Sequence, residues 1–308
     1  QMGMQGIAFM HSDLGGFAGP NEDDELYTRW LQYGVFQPIF RPHGQEEVAA
    51  EPIFKSSKTK ALVKTAIELR YSLLPYNYNL VFENHQTGVP LMRPLLFEEP
   101  NNKVFQSLAT TYLWGEDFLI SPVVLPNIKT QKVHFPETSD WFDFYTDKKL
   151  EGGSIQDIAL HTSYIPTYVR SGAFVPRVNG LVNTDQYDMS AFDLHFYFGS
   201  DLGSYNRFYN DDGHTKNAIE SGEFEFVEAR SKFLNNILEI AISQTSSSDS
   251  FKKSKSVNLI IHNIQKEPKW VKSAEEPLLY TYDEDKKTLS LQLELKANSN
   301  FNIVIKKP

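Results

Sequence analysis

The chain has 308 residues, enough for two or three domains with a sizeable core, and its 41% hydrophobic and 22% charged residues are typical of a globular protein. A net charge of −9 without a long basic run argues against nucleic acid or an anionic membrane surface as partner. The absence of cysteine excludes disulfides, thiolate nucleophiles and cysteine-bound zinc, and no apolar run approaches the ~18 residues of a membrane-spanning helix.

The chain opens with an alternation of short apolar runs and a helical pattern. GIAFM (6–10) and VFQPIF (35–40) are typical of strands buried on both faces. Between them, residues 21–34 predict a helix, because Asn21 is a suitable N-cap and acidic residues fill the first turn.

A second helical pattern runs from residue 57 to residue 84, where Pro75 is expected to produce a kink. The resulting β-α-β-α order predicts a parallel sheet with right-handed crossovers. A closed (β/α)₈ barrel needs about 250 residues and eight strands, so these two strand-helix units predict only part of one. Their apolar edges should stay exposed unless something else completes the sheet.

After about residue 110 the pattern changes to short apolar runs separated by Pro, Gly, Asn and Asp, which predicts β-sandwich or barrel domains. A second β-rich region begins near residue 192, and the polar segment 244–256 is expected to be a long hairpin loop within it. The predicted organisation is therefore a partial α/β barrel followed by two β domains: 1–110, 111–191 and 192–308.

Polar residues follow both predicted parallel strands. Asp13 comes after the first and precedes two glycines, and Arg41 and His43 come after the second. Because the carboxyl ends of barrel strands meet at one rim, these side chains are expected to lie together, although turn and capping roles would also explain each of them. Arg41 is expected to be buried against a carboxylate, and the neutral imidazole of His43 is suited to contact a ligand hydroxyl.

The remaining polar clusters predict no metal and no cofactor. Asp211-Asp212-Gly213 lacks the ligand offsets of a calcium loop and predicts a turn, and Glu46, Glu47 and Glu51 predict a solvated loop. The eight histidines show no zinc-binding spacing, and the sequence has no GxSxG, no phosphate-binding loop and no dinucleotide fingerprint.

A series of segments, in order along residues 1–230, resembles the C-terminal part of glycoside hydrolase family 31. The matching segments are HSDLGGFAG, ELYTRWLQYGVFQPIFRPHG, Glu51-Pro52, ELRYSLLPYNYNL, GVPLMRPLLFE, YLWGEDFLISPVV, IPTYVRSGAFVP and FYNDDGHT.

The resemblance implies a retaining α-glycosidase, most often an α-glucosidase acting on α-glucoside oligosaccharides. In this family the nucleophile aspartate lies in a W-x-D-M-N-E motif, and both it and the acid/base aspartate precede the SD-x-GGF segment. This chain has no DMNE. The resemblance thus implies barrel strands seven and eight with their helices, then the proximal and distal β domains. An upstream portion of the same enzyme would carry both carboxylates, and this chain alone would be inactive.

The resemblance also assigns substrate-binding roles. His43 would bond hydroxyls of the sugar being cleaved, Phe17 would wall the same subsite, and Asp13 and Arg41 would anchor its floor as a pair. Ala50 to Ile53 read A-E-P-I where the family commonly has R-E-P-W, which leaves open how the loop after His43 contacts the leaving group. A 4-α-glucosyltransferase, an α-xylosidase and a non-enzymatic carbohydrate-binding or structural β module remain as alternatives.

Overall fold

The computed structural model describes residues 2–19, 23–199 and 203–308. Its contacts divide the chain into two units, one made of residues 1–71 and 83–170 and the other of residues 72–82 and 171–308. The three-part division inferred from the sequence stays a prediction. Within the described residues, no helix is long and apolar enough to cross a bilayer.

Three α-helices precede the first strand of the described chain, α1 (Asp24–Gly34), α2 (Ser57–Ser72) and α3 (Leu74–Thr87), and a short helix, α4 (Lys103–Ser107), follows that strand. The Asp23 carboxylate caps α1 by accepting from the Leu26 amide at 3.0 Å, whereas the predicted cap Asn21 lies outside the described residues. Pro75 lies in the first turn of α3, where proline is tolerated. The predicted kink is therefore a break between two helices.

The two predicted parallel strands, 6–10 and 35–40, are irregular in the structure. Their parallel direction survives in a single bridge between Leu14 and Pro42, in which the Leu14 amide donates to the Arg41 carbonyl and the His43 amide to the Leu14 carbonyl, both at 3.3 Å. The prediction of regular strands is wrong because a strand needs a neighbour along its length, and an isolated pair is marginal.

The first unit also holds an antiparallel sheet with strand order β1-β2-β3-β8-β5-β6 and a separate β4-β7 pair. The strands are β1 (Met92–Pro94), β2 (Tyr112–Trp114), β3 (Phe118–Ile120), β4 (Thr130–His134), β5 (Trp141–Asp143), β6 (Lys149–Leu150), β7 (Ile155–Ala159) and β8 (Thr167–Arg170). Their core is aromatic, with Phe135, Trp141 and Tyr168 almost fully buried.

The second unit is a two-sheet sandwich with strand orders β17-β18-β14-β10-β9 and β11-β12-β13-β19-β15-β16. Its elements are β9 (Phe174–Arg177), β10 (Ala191–Tyr197), β11 (Ser204–Asp211), α5 (Ala218–Ser221), β12 (Phe224–Leu234), β13 (Ile237–Ser246), β14 (Lys255–His262), β15 (Trp270–Ser273), β16 (Glu276–Pro277), β17 (Thr281–Asp283), β18 (Thr288–Leu295) and β19 (Asn300–Lys306).

Alternating inward-facing residues of both sheets form one core, as the period of a half-buried strand requires; Leu259 of β14 and Ile240 of β13 belong to it. The polar segment after β13 leads to β14 in the other sheet, and β13 pairs with β12 and β19 instead. The predicted hairpin across residues 244–256 is therefore wrong. A polar loop between two strands has the same composition whether it turns back on one sheet or crosses to the next.

Candidate functional site

The chain turns sharply just after the first apolar run. Asp13, Gly15 and Gly16 have φ values of 46°, 92° and 106°, which a short polar residue or glycine adopts most readily. A Cβ atom on Gly15 would lie 2.5 Å from the Tyr27 ring, so only glycine lets this turn pack directly on α1. Leu14 is fully buried against Tyr27, and this anchor holds Asp13 at the surface.

The Leu14–Pro42 bridge places Arg41 and His43 beside this turn. The Arg41 guanidinium donates from Nη2 to His43 Nδ1 at 2.8 Å. Because a guanidinium can only donate, Nδ1 must be the acceptor and the neutral imidazole carries its proton on Nε2. Among the described residues Nε2 makes no hydrogen bond, so it is a donor available to a ligand oxygen.

Asp13 lies beside His11 instead of Arg41. His11 Nε2 donates to the Arg41 carbonyl at 2.8 Å, so in the neutral ring Nδ1 is an acceptor, and it accepts from the Asp13 amide at 3.3 Å. Asp13 Oδ1 lies 3.0 Å from the same Nδ1, a contact that is an ion pair only when His11 is protonated. The predicted Asp13–Arg41 ion pair is therefore wrong, and Arg41 is exposed where burial was expected. The physical reason is that the His11 ring lies between the two residues, where it accepts from the Asp13 amide and donates to the Arg41 carbonyl.

Phe17 completes the group. Its side chain is 45% exposed and its ring centroid lies 5.6 Å from that of His43. We call His11, Asp13, Phe17, Arg41 and His43 the rim cluster. It offers an imidazole donor, a carboxylate acceptor and an apolar face, which is the combination that binds a ligand with both hydroxyl groups and C–H faces.

Sequence reasoning missed His11, although it lies only two residues before Asp13. Its role depends on the parallel bridge, which brings the Arg41 carbonyl next to it. A second hydrogen-bond chain holds the same segment: Trp30 Nε1 donates to Ser12 Oγ at 3.1 Å, and this hydroxyl donates to Gln37 Oε1 at 3.0 Å. The rim cluster is thus fixed to α1 from its N-terminal side.

The loop that follows His43 is anchored at its far end, where the Tyr27 hydroxyl donates to the Ala50 carbonyl at 2.7 Å. Glu46, Glu47 and Glu51 are exposed along it, as predicted for a solvated loop. Asp13 is thus the one carboxylate of the rim cluster, while the other acidic side chains of this region face solvent.

The predicted turn at Asp211-Asp212-Gly213 is confirmed. Asp212 accepts from the His214 and Thr215 amides and from the Thr215 hydroxyl, and these hydrogen bonds lower the pKa of Asp212 to about 2. The sequence did not show that a cavity of about 470 Å³ lies beside this turn. Among the described residues no group of three or more His, Asp or Glu side chains could hold a metal ion.

Comparison with protein families gives two matches in chain order. The model of the glycosyl hydrolases family 31 TIM-barrel domain matches residues 1–80, and that of the glycosyl hydrolase family 31 C-terminal domain matches residues 88–175.

Individual proteins agree with these matches. An alpha-xylosidase of Saccharolobus solfataricus is 34% identical over 228 residues, which cover 73% of this chain and 31% of the relative. Alpha-glucosidase 2 of Bacillus thermoamyloliquefaciens is 31% identical over 269 residues, or 87% of this chain and 33% of the relative. The chain thus spans about a third of the length of these relatives.

Among solved structures, a Flavobacterium johnsoniae GH31 dextranase, a mutant complexed with isomaltotriose, superposes with a TM-score of 0.89 at 27% identity. The match covers 99% of this chain and 40% of the dextranase.

Proposed function

The chain belongs to glycoside hydrolase family 31, and on that premise we propose that it is the C-terminal part of a retaining α-glucosidase that releases terminal α-linked glucose from oligosaccharides. It holds the last part of the catalytic barrel domain and the C-terminal β domains. The observation that carries the proposal is the rim cluster, where the Nε2 donor of His43 stands beside the exposed ring of Phe17.

Retaining hydrolysis needs two carboxyl groups about 5–5.5 Å apart, one as nucleophile and one as acid and then base. The rim cluster supplies a single carboxylate, Asp13, which lies beside His11. We therefore propose that both catalytic carboxylates come from an upstream portion of the same enzyme, corresponding to the part of the relatives that this chain does not span.

The rim cluster would then bind and orient the sugar, which lowers the barrier by fixing the reacting bond against the carboxylates. His43 donates from Nε2 to a sugar hydroxyl, and Phe17 covers the C–H face of the ring. Arg41 keeps the His43 tautomer, and Asp13, whose amide donates to His11, accepts from a second hydroxyl through its carboxylate. These roles require no metal and no cofactor.

The second candidate is an α-xylosidase, which the 34% identity to the Saccharolobus enzyme favours. Xylose lacks the hydroxymethyl group of glucose, so the two activities separate on matched aryl α-glucosides and aryl α-xylosides. A 4-α-glucosyltransferase would use the same donor site and differ only in the acceptor. Transfer products formed from maltose in place of net hydrolysis would reveal it, because a retaining hydrolase mainly releases glucose.

The test of the rim cluster is His43→Ala in the full-length parent enzyme. Loss of one hydrogen bond to the bound sugar should lower kcat/KM by about 5- to 150-fold, the equivalent of about 1–3 kcal/mol. His85→Ala, a change of the same kind at an exposed position of α3, is the matched control and should leave kcat/KM unaltered. An unchanged kcat/KM for His43→Ala would remove His43 from the sugar subsite.

A further inference from the structure

The partner of Arg41 in the rim cluster is unexpected on electrostatic grounds. Its guanidinium donates to the ring of His43 and makes no ion pair among the described residues. A carboxylate is close by, because Leu14, the residue after Asp13, donates its amide proton to the Arg41 carbonyl at 3.3 Å. A guanidinium binds a carboxylate more strongly than a neutral acceptor, since opposite charges add to the hydrogen bond and the pair can be bidentate. Some feature of the site must therefore keep Arg41 from Asp13.

The His11 ring is held between the two residues by their backbones. Its Nε2 donates to the Arg41 carbonyl at 2.8 Å, and its Nδ1 accepts from the Asp13 amide at 3.3 Å. Both ring nitrogens are thus committed, and the side chain is only 17% exposed. Because the ring cannot turn without losing both hydrogen bonds, it is a fixed spacer between the Asp13 carboxylate and the Arg41 guanidinium.

The same ring supports the unusual backbone of Asp13. The φ of Asp13 is 46°, in the left-handed region that costs a residue with a side chain free energy, which other contacts must offset. One such contact is the hydrogen bond from the Asp13 amide to His11. The Asp13 side chain is 40% exposed, so its carboxylate remains accessible at the surface of the rim cluster.

Separation of Asp13 from Arg41 preserves two groups for a ligand. Arg41 stays on Nδ1 of His43, which leaves the Nε2 of that ring as a donor. Asp13 keeps a carboxylate without a guanidinium on it, and its lone pairs can accept from a ligand hydroxyl. If Arg41 moved to Asp13, the carboxylate would lose acceptor positions, and His43 would lose the contact that fixes its tautomer.

We propose that His11 is a positioning residue that determines the partner of Arg41 by separating it from Asp13. His11 thereby keeps Asp13 an acceptor and His43 a donor toward the sugar. The effect on turnover rests on the proposed function, whereas the choice of partner by Arg41 does not. His11 itself does not touch the sugar and acts through its two neighbours.

The test is a double-mutant cycle of His11 and Arg41 in the full-length parent enzyme. His11→Ala should let Arg41 pair with Asp13 and lower kcat/KM on an aryl α-glucoside by about 10- to 100-fold, because both sugar-binding groups are affected. Arg41→Met alone should also lower kcat/KM. In the His11→Ala background, however, it should raise kcat/KM by about threefold, because it frees the Asp13 carboxylate. A residue that only stabilises the fold would not reverse the sign of a second substitution.

Two conservative variants keep a spacer in place. In His11→Asn the amide oxygen can replace Nδ1 as the acceptor for the Asp13 amide, and in His11→Gln the amide nitrogen can replace Nε2 as the donor to the Arg41 carbonyl. Each should retain more kcat/KM than His11→Ala, and an equal loss in all three would contradict the proposal. His85→Ala, at an exposed position of α3, is the matched control and should leave kcat/KM unaltered.

Nitrogen NMR of the 308-residue chain with labelled histidine tests the partner of Arg41 without any activity. At alkaline pH, where imidazoles are neutral, His43 should carry its proton on Nε2 alone, and in the His11→Ala chain it should become a mixture of both tautomers. An unchanged His43 tautomer in that variant, or a loss from Arg41→Met that is the same with and without His11, would overturn the proposal. Failure of the proposed function would appear instead as a full-length enzyme inactive on α-glucosides, and the NMR result would still decide the role of His11.

Discussion

Arg41 and His43 form a pair in which one side chain sets the chemistry of the other. The 2.8 Å hydrogen bond from Arg41 Nη2 to His43 Nδ1 makes Nδ1 an acceptor and leaves the proton on Nε2. Without it the imidazole could place its proton on either nitrogen, and the ring could rotate. In the proposed function Arg41 is thus a positioning residue, which would act on the sugar through His43.

We expect Arg41→Met, which keeps the aliphatic stem and removes the donor, to lower kcat/KM of the full-length enzyme by about three- to tenfold, less than His43→Ala. The informative measurement is the double-mutant cycle. Once His43 is alanine, Arg41→Met should have little further effect, because the two act as a unit. Equal effects of Arg41→Met in both backgrounds would show that Arg41 acts on the substrate independently.

At the residue scale, the sequence predicted which side chains meet but not how they pair. Asp13, Arg41 and His43 could be predicted because each follows an apolar run, and Phe17 because it follows the paired glycines of a family motif. Which carboxylate pairs with which base depends on side-chain directions around one backbone bridge. That geometry put His11 in the place predicted for Arg41, and no spacing in the sequence encodes it.

At the element scale, the sandwich of the second unit is joined by a buried ion pair. Glu225 of β12 is fully buried and lies 2.7 Å from Lys255 Nζ of β14, which belongs to the opposite sheet. Asn210 of β11 and Gln244 of β13 donate to the same carboxylate, each at 2.7 Å. Every carboxylate oxygen is thereby satisfied, as a charge removed from water requires.

Replacing one partner should be costly. We expect Glu225→Gln to lower the free energy of unfolding by about 3–5 kcal/mol, because Lys255 would remain buried without a counter-charge. Urea unfolding measures the loss of free energy, and amide hydrogen exchange in β12 and β14 shows whether it arises at this ion pair. The double variant Glu225→Gln/Lys255→Met should recover part of it, since no unpaired charge is left.

The control is Glu275→Gln, which removes an ion pair with Lys272. The Glu275 side chain is 93% exposed. Its expected cost is below about 1 kcal/mol. A similar small cost for Glu225→Gln would mean that water reaches Lys255 and that the pair does not join the sheets.

Helices and strands could be predicted where the hydrophobic periodicity of the segment alone decides between them. The helical pattern of 57–84 and the alternating strands of the sandwich are of this kind, and the fold class inferred from them and from the family resemblance is confirmed. The prediction of regular strands at 6–10 and 35–40 was wrong because a parallel strand is completed by neighbours elsewhere in the chain. The prediction of a hairpin between β13 and β14 was wrong for a related reason, since long-range packing decides which sheet a strand joins.

At the scale of the whole molecule, exposed apolar side chains are concentrated in residues 2–54. Besides Phe17 of the rim cluster, they are Met4, Ile7, Phe9, Leu26, Ile39, Ile53 and Phe54. Scattered exposed apolar residues are ordinary, but such a density within one short region is typical of a surface that another part of a protein covers. In the proposed enzyme, the upstream barrel strands would cover it and bring the catalytic carboxylates to the rim cluster.

This arrangement predicts how the 308-residue chain behaves alone. We expect it to fold, to bind an apolar dye through the 2–54 region, and to show no turnover of an aryl α-glucoside, because Asp13 alone cannot act as both nucleophile and acid/base. Native mass spectrometry and an activity assay on one sample provide the test.

Adding a separately produced upstream portion should restore turnover and reduce dye binding together, since one contact surface governs both. Turnover by the pure chain at its own mass would contradict the proposal that the catalytic carboxylates lie upstream, and restored turnover with unchanged dye binding would mean that the upstream portion docks elsewhere.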